Sequence, residues 1–164
     1  MPASSDADDE VTAIRQTAGR LLARREYAVR ELHQRLLGRD FDAAQVAQVI
    51  AELQRENLLS DERFAESFVH ARVARGDGPL KLRAALYERG VDDTLVARFV
   101  PDDYASWAER MEAVRARRFG ARRPQAYREW ARQARFLQQR GFSAEHIRRL
   151  LREDEMDQSG IGDA

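Results

Sequence analysis

The chain has 164 residues, 28 acidic and 28 basic, with no Cys, so neither a disulfide framework nor a thiolate metal site is available. Apolar residues at 43% suffice for a core, and charged residues at 34% leave most helices one wet face. No apolar run approaches the ~20 residues of a membrane span and no signal peptide opens the chain, so it reads as a cytoplasmic protein with no membrane partner.

In chain order, residues 1–10 hold Asp6, Asp8, Asp9 and Glu10 with no base, a composition that predicts a disordered acidic tail. Apolar spacing predicts a helix from about Val11 to Arg25 with Ile14, Ala18, Leu21 and Leu22 on one face. A second helix, about Ala28–Arg39, turns Leu32 and Leu36 inward with Val29 beside them. A third, about Ala43–Glu56, buries Val46, Val49, Ile50 and Leu53, and Asp42 with Gln45 forms a capping-box pattern before it. Ser60 caps a fourth helix, with Asp61 and Glu62 where the helix dipole favours anions. That helix is expected to bury Phe64, Phe68 and Ala71 and to end near Arg75, ahead of the helix breakers Gly76-Asp77-Gly78-Pro79. Pro79 opens a fifth helix over Leu82 and Leu86, and a sixth, about Asp93–Val100, stops at Pro101. Asp102 or Asp103 caps a seventh, with Trp107, Met111 and Val114 inward. Phe119-Gly120-Ala121-Arg122-Arg123-Pro124 reads as an exposed loop. An eighth helix, about Gln125–Arg140, and a ninth, about Ala144–Glu153, precede a polar, frayed tail from Glu155.

These helices form copies of one unit. Lys81–Val100 is matched by Glu31–Ile50, 50 positions earlier, and by Arg132–Leu151, 51 positions later. Leu36, Leu86 and Leu137 align, as do Arg39, Arg89 and Arg140, then Phe41, Val91 and Phe142, then the caps Asp42, Asp92 and Ser143. Gly90 and Gly141 sit where a helix ends in a left-handed residue, a position that Asp40 fills in the first copy. The expected fold is all-α: three tandem three-helix repeats forming an elongated, curved array. The repeats span residues 11–59, 60–101 and 102–154, between flexible ends at 1–10 and 155–164.

Signatures of catalysis are missing. There is no Gly-rich phosphate loop and no His or Cys spacing for zinc. His33, His70 and His146 fall on separate helices, and Asp92-Asp93 and Asp102-Asp103 stand where caps are needed. The chain is expected to be no enzyme, with no metal and no cofactor. Charge points to binding instead. Between Ala105 and Arg152 thirteen Arg stand against four Glu, which favours an anionic partner. Three groups are candidates for contact with such a partner: Arg115, Arg117, Arg118, Arg122 and Arg123, with Tyr127 and Trp130 nearby; Arg72, Arg75, Lys81 and Arg83 around the Gly-Asp-Gly-Pro link; and Arg148 and Arg149, with Arg152, near the end of the ninth helix. A solvated arginine face, core roles for the two aromatics, a plain turn at the Gly link and a favourable helix dipole for the last group are the alternatives.

The stretch Asn57–Arg72 (NLLSDERFAESFVHAR), with Gly78-Pro79-Leu80-Lys81-Leu82 and Arg89-Gly90-Val91, resembles the RecX family of bacterial recombination regulators. Leu21–Tyr27 with Glu31-Leu32 resembles that family's first repeat, and Arg140-Gly141-Phe142-Ser143 its third, so the resemblance covers about residues 11–152. Asp40 departs from the turn glycine, and Ala28 stands where the family often has Ser. The resemblance implies three-helix repeats, no enzymatic activity, and a protein that binds the RecA recombinase and lodges in the groove of its nucleoprotein filament; the chain itself is expected to be a monomer. It implies that filament extension, ATP hydrolysis, strand exchange and repressor cleavage by RecA are lowered. A direct module for single- or double-stranded DNA, acting without RecA, is the second reading.

Overall fold

The computed structural model describes residues 3–158, with side chains described within residues 5–152. Among the described residues run nine helices and no strand: α1 (Ala3–Leu22), α2 (Val29–Leu37), α3 (Ala43–Arg55), α4 (Asp61–Ala74), α5 (Pro79–Glu88), α6 (Asp93–Phe99), α7 (Ala105–Phe119), α8 (Tyr127–Gln139) and α9 (Ala144–Gln158). Met1, Pro2 and residues 159–164, the last part of the expected C-terminal tail, lie outside the described residues.

The two ends correct the expectation. The acidic opening is helical from Ala3, well ahead of Val11. Asp6 falls in the first turn, where its charge complements the helix dipole. One turn on, Glu10 Oε1 accepts the N–H of Asp42 at 2.9 Å, which fastens the opening of α1 to the start of α3. At the other end α9 continues past Glu153 to Gln158.

The helices gather into two compact units, the first being the chain up to Phe68 with Leu86–Val96, the second Val69–Ala85 with the chain from Ala97 onward. The central repeat is thereby divided between them.

In the first unit α1 and α2 pack on α3. Ile14, Ala18, Leu21, Leu32, Leu36, Val46, Val49, Ile50 and Leu53 are buried, joined by Tyr27 and Leu59. Each fully buried Leu, Ile or Val contributes about 1.5–3 kcal/mol relative to exposure. Asp42 caps α3, accepting from the N–H groups of Ala44 and Gln45, but the predicted box is not closed: the Asp42 N–H donates to Glu10 rather than to the Gln45 side chain. The buried face of α4 differs from expectation: Phe64, Ala65 and Val69 are buried, whereas Phe68 is half-buried and Ala71 exposed. Phe68 takes a rim position, its ring against Phe64 at 5.5 Å and under the Arg89 guanidinium at 5.1 Å. Asp61, at the start of α4, accepts the N–H of Val29 at 2.8 Å. Burial pushes its carboxyl pKa up, against the Val29 N–H, and the charge of Asp92 adds to the rise.

The second unit packs α7, α8 and α9 together, with Trp107, Met111, Leu137, Phe142, Ile147, Leu150 and Leu151 buried. Trp107 Nε1 donates to the Pro101 carbonyl at 2.8 Å, so its burial leaves no polar group unpaired. Asp103 caps α7: its carboxylate accepts the N–H of Ser106 at 2.9 Å and the hydroxyl at 2.7 Å. Those two bonds hold its pKa below the usual carboxylate range.

The turns behave as the repeat predicts. Gly90 and Gly141 have φ of 77° and 98°, and Asp40 has 62°. The glycines meet a second demand. A Cβ on Gly90 would lie 2.8 Å from Arg30 Cδ in the first unit, and one on Gly141 would lie 2.9 Å from the backbone nitrogen of Lys81 in the second. The same turn-on-helix contact thus occurs twice, shifted by 51 residues.

Candidate functional site

Arg115 corrects the predicted exposed cluster, because it is 0% exposed. Its position on α7 is one turn beyond Met111, on the buried stripe, and its long apolar stem suits that place. The guanidinium forks onto both carboxylate oxygens of Glu112 at 2.9 Å and bonds Gln133 Oε1 at 3.1 Å. It also donates to the carbonyls of Gly120, Ala121 and Arg122 at 3.3–3.4 Å. Arg115 therefore shapes the α7–α8 link and presents nothing to a partner. Arg123, half-buried, reaches the same Glu112 at 3.1 Å.

The group around the Gly link also serves this chain. Asp77, buried, pairs with Arg72 at 3.3 Å and lies 3.8 Å from Lys81 Nζ. Arg83 donates to the carbonyls of Val100 and Pro101 and pairs with Asp102. The link itself is occupied by the turn after α8: Gly78 N–H donates to the Arg140 carbonyl at 2.7 Å and Leu80 N–H to the Gly141 carbonyl at 2.9 Å. A Cβ on Gly78 would meet the Gly141 carbonyl carbon at 2.6 Å, so the glycine is required by this close approach.

The exposed members are Arg75, Lys81, Arg117, Arg118, Arg122, Arg148 and Arg149. Three of them converge in a way the sequence does not announce. Arg75, Arg117 and Arg118 line one cleft of about 140 Å³ together with Gly76, Val114, Phe136 and Arg140. None of these lining residues is acidic. Val114 and Phe136 supply apolar wall, and two of the cations, Arg118 and Arg140, are held from behind. Arg140 lies over the Phe136 ring at 5.3 Å and donates to the Arg75 carbonyl at 3.1 Å. Arg118 lies over Phe119 at 5.4 Å. Phe119 and Phe136 meet edge to face at 5.3 Å, so both ring platforms are fixed. A guanidinium held on a ring face can offer an oxyanion, carboxylate or phosphate alike, whatever edge it does not spend on the chain, as Arg140 spends one N–H on Arg75. Arg140 escapes a sequence-based search for site residues because its place in the Arg-Gly turn already explains it.

Arg148, Arg149 and Arg152 lie within α9 rather than at its end, so the helix dipole does not account for them. Arg149 stacks on Tyr104 at 4.1 Å. Tyr127 is 82% exposed, Trp130 half-buried, and their rings stack at 6.3 Å with 12° between planes. Among the described residues no group of His, Asp and Glu could hold a metal, and no helix is long and apolar enough to cross a membrane.

Comparison with known proteins gives a uniform result. Family profiles described as the first, second and third three-helix domains of RecX match residues 15–53, 60–98 and 108–151. A regulatory protein RecX from Halorhodospira halophila is 45% identical over 157 residues, covering 95% of this chain and 98% of that protein. One from Pseudomonas entomophila is 41% identical over 143 residues, 87% of this chain and 92% of that protein. The crystal structure of RecX from Lactobacillus salivarius superposes with a TM-score of 0.76 at 20% identity, covering 91% of this chain and 99% of that one.

Proposed function

This chain belongs to the RecX family of regulatory proteins, and we propose that it acts in the cytoplasm by binding the RecA recombinase and its nucleoprotein filament. In this reading it lodges in the filament groove and lowers filament extension, ATP hydrolysis, strand exchange and repressor cleavage. It does so by occupancy and performs no reaction of its own. The observation that carries the reading is the cleft at Arg75, Arg117, Arg118 and Arg140, a cationic pocket with no acid in its lining. A filament of protein and nucleic acid offers carboxylates and phosphates, and fixed guanidinium forks match both. Arg122, Arg148 and Arg149 extend the positive surface of the same unit, and Arg72, Lys81, Arg83 and Arg123 contribute charge while holding local structure.

The test is charge reversal at Arg117 and Arg118, both exposed, so the fold tolerates it. The DNA-dependent ATPase of RecA is titrated with each protein. The wild type suppresses it at substoichiometric ratios, and the double Glu variant needs on the order of ten times more protein. Equal suppression by the variant removes the cleft as the contact surface. A wild type that suppresses at no ratio removes the function.

A further inference from the structure

The first turn of α8 carries a feature that recombinase binding leaves unused. Tyr127 and Trp130 stand one turn apart on α8 with their rings nearly parallel, and Tyr127 is 82% exposed. An aromatic pair left this open presents flat π-surface to whatever stacks on it. A hollow of about 370 Å³ lies against the pair, lined by Pro124, Gln125, Ala126, Tyr127, Trp130 and Arg152. On the other side of Trp130 a second groove, about 230 Å³, runs between α8 and α9 and is edged by Arg148. Trp130 is thus shared by two hollows, each with one arginine at its margin. Arg148 and Arg152 are four residues apart on α9 and so point the same way, one helical turn apart. Glu129, the acid in the first turn of α8, is drawn back onto the N–H of Gln125 at 2.8 Å.

We propose that this shelf binds single-stranded nucleic acid, with bases stacked on Tyr127 and Trp130 and neighbouring phosphates on Arg152 and Arg148. Stacking needs a base whose face is open, which a single strand offers and a duplex withholds. The paired cations give the strand its backbone contacts, and the ring faces, which every base can use, make the binding tolerant of sequence.

The experiment uses the full chain with no recombinase, so its failure leaves the preceding reading intact. Tryptophan fluorescence is followed while a short oligothymidylate is added at low salt. Trp107 is 0% exposed and supplies a constant background, so quenching reports Trp130. Saturable quenching is expected. Tyr127→Ala, a change at an exposed site, weakens binding on the order of tenfold. Arg148→Ala with Arg152→Ala lowers the slope of log affinity against log salt by about 1.4, or about 0.7 for each phosphate that no longer meets an arginine. Unaltered melting curves establish that the variants are folded. Absence of quenching, equal affinity of Tyr127→Ala, equal affinity for a duplex, or equal affinity for a polyglutamate peptide each overturns the proposal, the last by assigning the shelf to acidic protein.

Discussion

Replacing Arg115 by Met tests how the α7–α8 link is held. The change keeps an unbranched apolar stem and removes the guanidinium fork. Of the six hydrogen bonds that disappear, the one to Gln133 Oε1 matters most, because Gln133 is 5% exposed and water cannot take the place of the guanidinium. An orphaned buried acceptor costs about 1–3 kcal/mol. The three carbonyl bonds, at 3.3–3.4 Å, are long and belong to exposed residues, so water replaces them at little cost. Glu112 keeps Arg123 at 3.1 Å and stays half-exposed, so no bare buried charge results. The destabilisation should therefore fall at about 1–3 kcal/mol, below the 3–5 kcal/mol typical of breaking a buried ion pair. For a chain of this size that is a fall in Tm of roughly 2–12 °C. Urea denaturation followed by circular dichroism measures the stability. Limited trypsin digestion measures the link, where cleavage after Arg122 should accelerate in the variant. A variant within about 0.5 kcal/mol of the wild type, cut no faster, would refute the role assigned to Arg115.

Gly141→Ala and Gly90→Ala should separate in urea denaturation. Both carry the roughly 1–2 kcal/mol of left-handed strain, but Gly141→Ala adds a clash with the Lys81 backbone at 2.9 Å, whereas the nearest atoms to Gly90 belong to the flexible Arg30 side chain; equal destabilisation would show that backbone approach is irrelevant. Asp103→Ala should be less stable than the wild type at neutral pH. Because the Ser106 hydroxyl and N–H depress the folded pKa below the ordinary 3.8, the advantage of Asp103 is complete above 3.8 and disappears as pH falls through the depressed value, so the two melting curves should converge in acid.

The repeat was legible because its signal is local. Ile14, Ala18 and Leu21 on α1, Leu32 and Leu36 on α2, and Val46, Val49 and Leu53 on α3 recur at helical spacing, and the turns at Gly90 and Gly141 declare their backbone. What escaped depended on residues far apart in sequence. The α7 stripe points inward at Trp107, Met111 and the position of Arg115, yet a charged residue there reads as surface until Glu112, Gln133 and the link carbonyls are seen around it. The glycines of the Gly76–Pro79 link suggested room for a partner, but Gly78 faces Gly141, 63 positions away, and the occupant is the chain itself. Composition marked residues 1–10 as disordered because the bond from Asp42 N–H to Glu10 joins segments that hydropathy treats separately. Likewise Arg75 and Arg117 share a cleft only once α4 and α7 are folded.

Asp40 carries a last implication. Its backbone has the same positive φ as Gly90 and Gly141, but it bears the β-carbon those residues lack, in the space that Arg30 and Lys81 enter to within 2.8–2.9 Å at the later turns. The first turn thus has no room for a helix start at the distance that the two later turns accept, and the close turn-on-helix seat begins only with the second copy of the unit.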